Sequence, residues 1–574
     1  ANWYRVNPHR LHLGIMGFEI SDLALVEQPE QTLNMWEGIL HSAFTYQNQR
    51  INVQTLVAPT RDVVSAKITG TKLPALKFRF PYPTGAHSDD GCDWNSINRH
   101  TTRIVKMDDQ QVVLERRLDE TTYYVTIVWE GNATFSQKAD HYYLLTPQAG
   151  DLSCSVAFTP GISSPAIPSH AVMASEAKEY WFRFWNEGAA VDFSECRDSR
   201  ANELERRVVL SQYLMAIQSA GSVPPQETGL TYNSWYGKFH MEMIWWHQSH
   251  FALWNRAHLL SRTLEWYHKA YPVALQIAQR QGFDGVRWMK MTDPSGMEAP
   301  SEVGSFLIWQ QPHLIYLAEL VYRSSPDEEF LKKYAKLVDA TARFMISFAD
   351  YDMLEGRYVL KGIIPAQETL RAAETINPPF ELACWHYALQ TAQKWRERLG
   401  EKRNLEWDEV IDKLSPLAHK DKLYLAAESA PDTYEDIRFT SDHMAVLGAM
   451  GIIPKTPLVR VDYMRNTLNW IWDNWNWGRT WGWDYPMTAM SAARLGDREK
   501  AVGALLMDKR TNTYLPNGHN YQDARLRVYL PGNGGLLTAV AMMCAGWDGS
   551  KGNNPGFPSN GKWKVKWEGL HPMP

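Results

Sequence analysis

The chain has 574 residues, too many for a single hydrophobic core, so two or three domains are expected. Hydrophobic residues make up 44% and charged residues 21%, with a net charge of -5, the balance of a soluble globular enzyme. No basic stripe points to nucleic acid, and no run approaches the roughly 20 apolar residues of a membrane span.

The 25 Trp and 26 Tyr stand out, because a flat apolar ring complements the C–H face of a sugar. An all-helical core can also use many aromatics. The five cysteines, Cys92, Cys154, Cys196, Cys384 and Cys544, form no CxxC or His/Cys cluster, so no zinc site or other metal or cofactor is expected. Odd and scattered, they make no disulfide framework, which leaves a single bridge open. The chain starts at Ala rather than Met, which fits removal of an export signal or a tag. The expected location is the periplasm or outside, with the cytoplasm left open.

Residues 1–165 read as β. INVQTLVAPT, VVSAKITG, LKFRFPY, QQVVLERRL and TYYVTIVWEG alternate apolar and polar residues, with polar or Gly/Pro turns between them. Strand after strand with no helix between predicts an antiparallel sandwich. PGISSPAIPS (160–169) reads as a linker. The period then turns helical. HAVMASEAKEYWFRFWNEG and ANELERRVVLSQYLMAIQSAG predict a helical linker over 166–225. Over 226–550 about a dozen helices alternate with Gly/Pro/Asn loops, which fits six hairpins closing into an (α/α)6 barrel. An open solenoid would repeat at a fixed period, and none is present. The fold class is therefore multidomain β + α, with a tail over 551–574 that carries one short strand.

Polar groups concentrate among aromatics in a few loop segments. GLTYNSWYGKFHMEMIWWHQSH (229–250) carries Trp235, Lys238, His240, Glu242 and Trp246. HMEMIWWH is no zinc motif, because its histidines are seven apart. His240 and Glu242 share a side only if the chain there is extended. GVRWMKMTDPSGMEAPSEVG (285–304) carries Trp288, Lys290 and Glu298, with Gln311 at the helix start that follows. KGIIPAQETLRAAETINPPFELACWHY (361–387) presents Glu368 between a Gly-Ile-Ile-Pro turn and Asn-Pro-Pro. Taken alone, Glu368 reads first as a cap on a helix N-terminus. NWIWDNWNWGRTWGWDYPMTAM (469–490) ends on Trp483 and Asp484, and Asp at a helix start is a common cap. YLPNGHNYQDARLRVYLPGNGG holds His519, Asp523 and Arg525, with its Pro-Gly-Asn-Gly-Gly read as a turn. Separated carboxylates on loops of one helical toroid suit inverting glycoside hydrolysis, in which one acid protonates the leaving oxygen and a base about 6.5–9.5 Å away activates water.

In order, these segments resemble glycoside hydrolase family 65 and related six-hairpin glycosidases, a likeness running from about residue 10 to 510. LNMWEGILHSAFTYQNQRINVQTLVAPTRDVVSAKITG resembles that family's sandwich stretch, and EYWFRFWNE its linker tryptophan motif. GLTYNSWYGKFHMEMIWW puts Glu242 at the family's sugar-binding Asp, and GVRWMKMTDPSGMEAP puts Glu298 at an acid of the next motif. YDMLEGRYVLKGIIPAQETLRAAETINPPFELACW puts Glu368 on the catalytic general acid.

The departures bear on mechanism. The family's phosphorylases hold phosphate with a His…Ser-Ser loop before a helix ending Ala-Ala-Arg-Leu-Gly. Here PMTAMSAARLGD follows WGWDY, with no serines and with Asp484 nearby, a charge that would repel phosphate and suits a base for water. The family's Lys-Gln pair is replaced by FTSDHMAV, with Asp442 and His443. Pro531 stands where fucosidases carry an acid. The resemblance thus implies an inverting exo-acting hydrolase of a carbohydrate substrate, with Glu368 as acid, Asp484 as base, and Asp523 and Glu374 in reserve. Trp235, Trp246, Trp288 and Trp483 would stack on sugars. Lys238, His240, Glu242, Lys290, Glu298 and Gln311 would bind hydroxyls. A phosphorylase and a non-catalytic carbohydrate-binding protein are the alternatives. Relatives of this type often dimerise, which leaves a homodimer open.

Overall fold

Alternating apolar residues between residues 15 and 159 fold into ten strands of one antiparallel sheet. They are β1 (Ile15–Phe18), β2 (Val26–Asn34), β3 (Ile39–Tyr46), β4 (Gln49–Val57), β5 (Val63–Thr69), β6 (Leu76–Arg79), β7 (His100–Asp108), β8 (Gln111–Leu118), β9 (Thr121–Ala139) and β10 (Tyr142–Thr159). The structure is a computed structural model that describes residues 4, 6, 10–87, 90–162 and 166–574. The order across the sheet is β2-β3-β4-β5-β10-β9-β8-β7, with β6 beside β10 and β1 beside β6. β10 pairs with β6 through Tyr142–Leu145 and with β5 through Leu152–Ala157. Register shifts around Glu130–Asn132 break the β9–β10 ladder, where Gly131 takes a φ of 117°. Residues from both halves then share one core, among them Phe44, Ile51, Val112, Val125, Phe135 and Tyr143. The expected antiparallel β region is therefore present, as one continuous sheet.

Residues 163–165, inside the segment read as a linker, lie outside the described residues. α1 (His170–Glu187) starts where Ser169 caps the Val172 N–H, and it packs on β4, β5 and β10. It buries Met173, Ala177, Trp181 and Phe184. Gly38 makes room for it: φ is +66°, and a Cβ there would sit 2.0 Å from the Trp181 ring nitrogen. Arg10–Ala86 and Asp90–Gly188 form one compact unit, and the rest of the chain, chiefly Ala189–Pro574, forms a second.

The second unit is helical: α2 (Ala201–Ser219), α3 (Ile244–Leu253), α4 (Ala257–Arg280), α5 (His313–Ser324), α6 (Glu328–Phe348), α7 (Pro379–Arg398), α8 (Leu405–Lys413), α9 (Val461–Asn474), α10 (Asp484–Arg494), α11 (Arg498–Leu505) and α12 (Leu530–Ala545). Their packing runs in a closed cycle. α3 packs on α5, α5 on α7, and α7 on the short 3-10 helix Ala445–Ala449. That turn packs on α10, α10 on α12, and α12 back on α3. α3 is buried along its whole length, and α12 along all but its last residue, as befits helices apolar all round. α4, α6 and α9 bury one face only.

Several segments differ from their sequence reading. SDHMAVLGAMG forms only the 3-10 turn at 445–449, because Gly448 and Gly451 weaken a helix and both are needed for close approach. A Cβ at Gly448 would meet Phe380 at 2.8 Å, and one at Gly451 the Met487 carbonyl at 2.8 Å. Pro-Gly-Asn-Gly-Gly is no turn before a helix but the first turns of α12. Proline is tolerated there, and Gly534 lets α12 approach within 1.9 Å, by Cβ, of the Trp246 carbonyl oxygen on α3. The tail strand Lys566–Glu568 pairs with Ala190–Asp192 inside the helical unit and not with the ten-stranded sheet. All five cysteines are free. Among the described residues no helix is long and apolar enough to cross a membrane.

Candidate active site

Loops between the helices enclose a cleft of about 510 Å³ within the helical unit. Glu368 enters it from the loop before α7. Three bonds hold that loop: the Ala366 N–H donates to Glu381 Oε1 (2.7 Å), Gln367 Nε2 donates to the Phe439 carbonyl (2.7 Å), and the Thr369 N–H donates to Asp442 Oδ2 (2.9 Å). The acid is thus fixed on both sides in sequence, while its own side chain stays 33% exposed. Burial raises its carboxyl above the ordinary value, and the negative charge of Glu242 adds to this. Lys290, whose Nζ lies 2.5 Å from Oε1, works against both.

A two-residue ladder, Phe239–His240 with Met291–Thr292, positions the floor. The Glu242 N–H also donates to the Lys290 carbonyl (3.1 Å). The strand ends at His240, and a turn closed by the Met243 N–H donating to the His240 carbonyl (3.2 Å) puts His240 and Glu242 together, with Nε2 3.1 Å from Oε2. Lys290 Nζ lies 3.0 Å from the same oxygen, and Trp309 Nε1 donates to the other at 3.3 Å. Burial alone would raise the Glu242 carboxyl, but Lys290 and His240 outweigh it and draw it down to about 2. Burial likewise opposes the charge of Lys290, but Glu242 and Glu368 overcome it and raise the ammonium's pKa. Lys290 therefore ties two carboxylates of unlike character: Glu242 stays ionised, and Glu368 is pushed toward its protonated form. Trp235 stands over Lys290, 5.2 Å from Nζ to the ring centroid.

The opposite wall holds Asp442 and His443. His443 Nδ1 lies 3.0 and 3.1 Å from the two oxygens of Asp484, and its Nε2 lies 3.9 Å from Asp442. Burial disfavours the imidazolium, but Asp484 and Asp442 more than compensate and raise its pKa to about 9. Burial pushes the Asp484 carboxyl up, while His443 and the Trp481 N–H (2.8 Å) draw it back. The proton belongs on His443, which faces two carboxylates at once. Asp484 is fully buried and reaches the cleft through His443 and Trp481.

Of the residues singled out in the sequence, Glu368, Trp235, His240, Glu242 and Lys290 line this cleft, as do Asp442, His443, Asp523 and Arg525. The others do not. Trp483 is buried, stacked on His443 with ring centroids 4.2 Å apart, and Trp246 packs against Trp483. Trp288 donates to Thr341 Oγ1 (3.0 Å) and packs edge-on against Tyr267. Gln311 bridges backbone groups, accepting from the Trp288 N–H and donating to the Val286 carbonyl. Lys238 donates to the Tyr4 carbonyl (3.2 Å), and Glu298 accepts from Ser305 Oγ. Aromatic packing takes Trp246 and Trp483, whose ring nitrogens have no hydrogen-bond partner, and polar contacts take the others. Of the reserve residues, Asp523 lines the cleft and Glu374 is exposed elsewhere.

Glu227, Trp481, Arg479 and Arg510 also line the cleft and were not singled out. Glu227 stands just before the Gly-Leu-Thr-Tyr segment, and Trp481 opens the Trp-Gly-Trp-Asp run, so proximity to those motifs was the available signal. The β unit has its own hollow of about 660 Å³, lined by apolar side chains such as Phe18, Phe44 and Phe158. Its one titratable side chain, Glu30, is paired with Arg50.

No family model and no curated protein matches the sequence. Solved structures do. One is a protein from the human microbiome assigned by name as a kojibiose phosphorylase, with a TM-score of 0.71 and 12% identity over 97% of this chain and 83% of that one. Another is a bacterial glucoamylase complexed with acarbose, with a TM-score of 0.53 and 11% identity over 92% and 85%. At such identities the likeness is one of fold: this chain shares its β-plus-helical architecture with these two structures.

Proposed function

We propose that the protein is a carbohydrate-active enzyme that cleaves a glycosidic bond by single displacement in the cleft of an (α/α)6 barrel. The closed cycle of six buried helical elements supports the barrel. The two structural neighbours, a named phosphorylase and a glucoamylase, support the substrate class. The observation that carries the reading is the pairing of Glu368 with Glu242 through Lys290. It leaves a cleft-facing carboxyl raised above its ordinary value beside one that stays charged. Glu368 then gives its proton to the leaving oxygen. Glu242, Lys290 and His240 bind hydroxyls, and Trp235 and Trp481 offer ring faces.

Water is the preferred nucleophile. Asp442 would be the base, because it lines the cleft and is bonded to Thr369, the residue after the acid, so the acid–base spacing is held rigidly. Asp484 acts behind it, by orienting His443. A cleft of this size suits one or two sugar rings and hence exo action. Phosphate remains a second reading for one specific reason. His443 neutralises Asp484, so the charge that would have repelled phosphate there is cancelled. Aryl glycosides and oligosaccharides, incubated with and without phosphate and followed by NMR, separate the two. Inverted free sugar supports hydrolysis, and sugar 1-phosphate formed only with phosphate overturns it. Asp442→Asn is expected to lower kcat by about 10²–10⁴-fold. An unchanged kcat removes Asp442 as the base.

A further inference from the structure

We infer that Arg479, Arg510 and Arg525 form a binding site for an anionic group carried on the saccharide, a uronate carboxylate or a sulfate ester. This rests on the cleft being a saccharide site, as proposed above, and adds the chemical class of its substrate.

All three arginines are exposed and line the same cleft as Glu368. Among the described residues none of the three has a carboxylate within ion-pairing distance. They come from three separate loops that a buried polar network ties together. Arg510 Nη1 donates to the Gln522 carbonyl (2.6 Å). The Gln522 side chain accepts from the Gly482 N–H (2.9 Å) and donates to the Thr511 carbonyl (3.1 Å). Thr480, next to Arg479, donates to Tyr485 Oη (3.0 Å), which is 2.7 Å from Thr511 Oγ1. The backbones that present the guanidiniums are therefore rigid, although the side chains reach solvent.

The chemistry selects the ligand. Three guanidiniums offer donors and no acceptors, a poor match for neutral hydroxyls and a good one for a planar carboxylate or a sulfate. Asp523 is the carboxylate among them, and its Oδ1 accepts from the Arg525 and Leu526 N–H groups, closing the turn (2.9 and 2.8 Å). The more buried side of the cleft holds Glu227, Glu242 and Asp442, with Lys290 and the His443 imidazolium beside the last two. An anion borne on the sugar can stay at the rim while the bond to be cut lies below.

The test is calorimetric titration of the Glu368→Gln protein with probes that carry no glycosidic bond to cleave. The probes are glucose with glucuronate, galactose with galacturonate, glucose 6-sulfate, and inorganic phosphate. At least one acidic member should bind about tenfold tighter than its neutral partner, as one charge-assisted contact would give. The advantage should shrink with added salt and vanish in Arg479→Gln/Arg510→Gln/Arg525→Gln. Equal affinity across every pair overturns the proposal, as does an advantage that survives in that variant. Arginine-dependent binding of inorganic phosphate with no gain for any acidic sugar also overturns it. If the triple variant loses its folded circular-dichroism signature, Arg479→Gln/Arg525→Gln, which keeps the Arg510–Gln522 bond, takes its place under the same criteria. Cleavage assays on the wild type are separate, so failure of the proposed activity is seen there and not in these titrations.

Discussion

At the residue scale, Glu381 shows how the acid is presented. It is fully buried in the first turn of α7, with one oxygen accepting from Ala366 and the other unpartnered. Burial raises its carboxyl to about 8, so it is neutral at pH 7. A carboxyl whose folded pKa lies above its unfolded value favours the folded state at low pH, and this stabilisation is lost as pH rises from about 4.5 to about 8. Glu381→Gln keeps the acceptor and removes the titration. Melting temperatures are expected to rise relative to wild type at pH 8 and to change little at pH 5. Equal shifts at both pH values would contradict this. Glu242 has the opposite sign. Its pKa of about 2 means its stabilisation is complete above the ordinary carboxylate range and lost as pH falls from about 4.5 toward 2.

At the element scale, the loop before α7 and the 441–449 segment act together, because Thr369 and Asp442 bond across them. Thr369→Pro removes that N–H and should cut kcat more than it raises KM, as a displaced acid would. A rise in KM with kcat unchanged would assign the loop to binding alone. The acid loop was legible because Glu368 follows directly on a proline turn, in a segment that a second pair of prolines closes. The floor was legible only in its residues: His240 and Glu242 meet across a turn that follows the short ladder and not on extended backbone. Trp288, Trp246 and Trp483 misled because aromatic enrichment does not distinguish a ring in the cleft from one in a helical core, and α3 and α10 are buried nearly all round. Asp442 and His443 were visible only as a departure from a motif. Their partners, Thr369 and Asp484, lie 73 and 41 residues away along the chain.

At the scale of the whole molecule, the β region and the helical region were legible from a switch of period, whereas the single continuous sheet depends on which half of β10 pairs with which neighbour. The pH window follows from groups deep in the helical unit. His443, with its pKa raised to about 9, contributes stability that is complete below about 6.5 and lost as pH rises to about 9. With Glu381 adding in the same direction, thermal stability should fall steadily from about pH 6.5 to 9, and His443→Gln should flatten that slope. An unchanged slope would place the His443 proton elsewhere.

The central claim is that Glu368 donates the proton to the leaving group. The direct measurement compares Glu368→Gln with wild type on two glycosides of the sugar that the wild type cleaves, one with a dinitrophenyl and one with an alkyl leaving group. A dinitrophenolate departs without protonation and an alkoxide does not. The variant should lose about 10²–10⁴-fold on the alkyl glycoside and far less on the dinitrophenyl one. Equal losses on both, or no loss on either, would contradict the assignment.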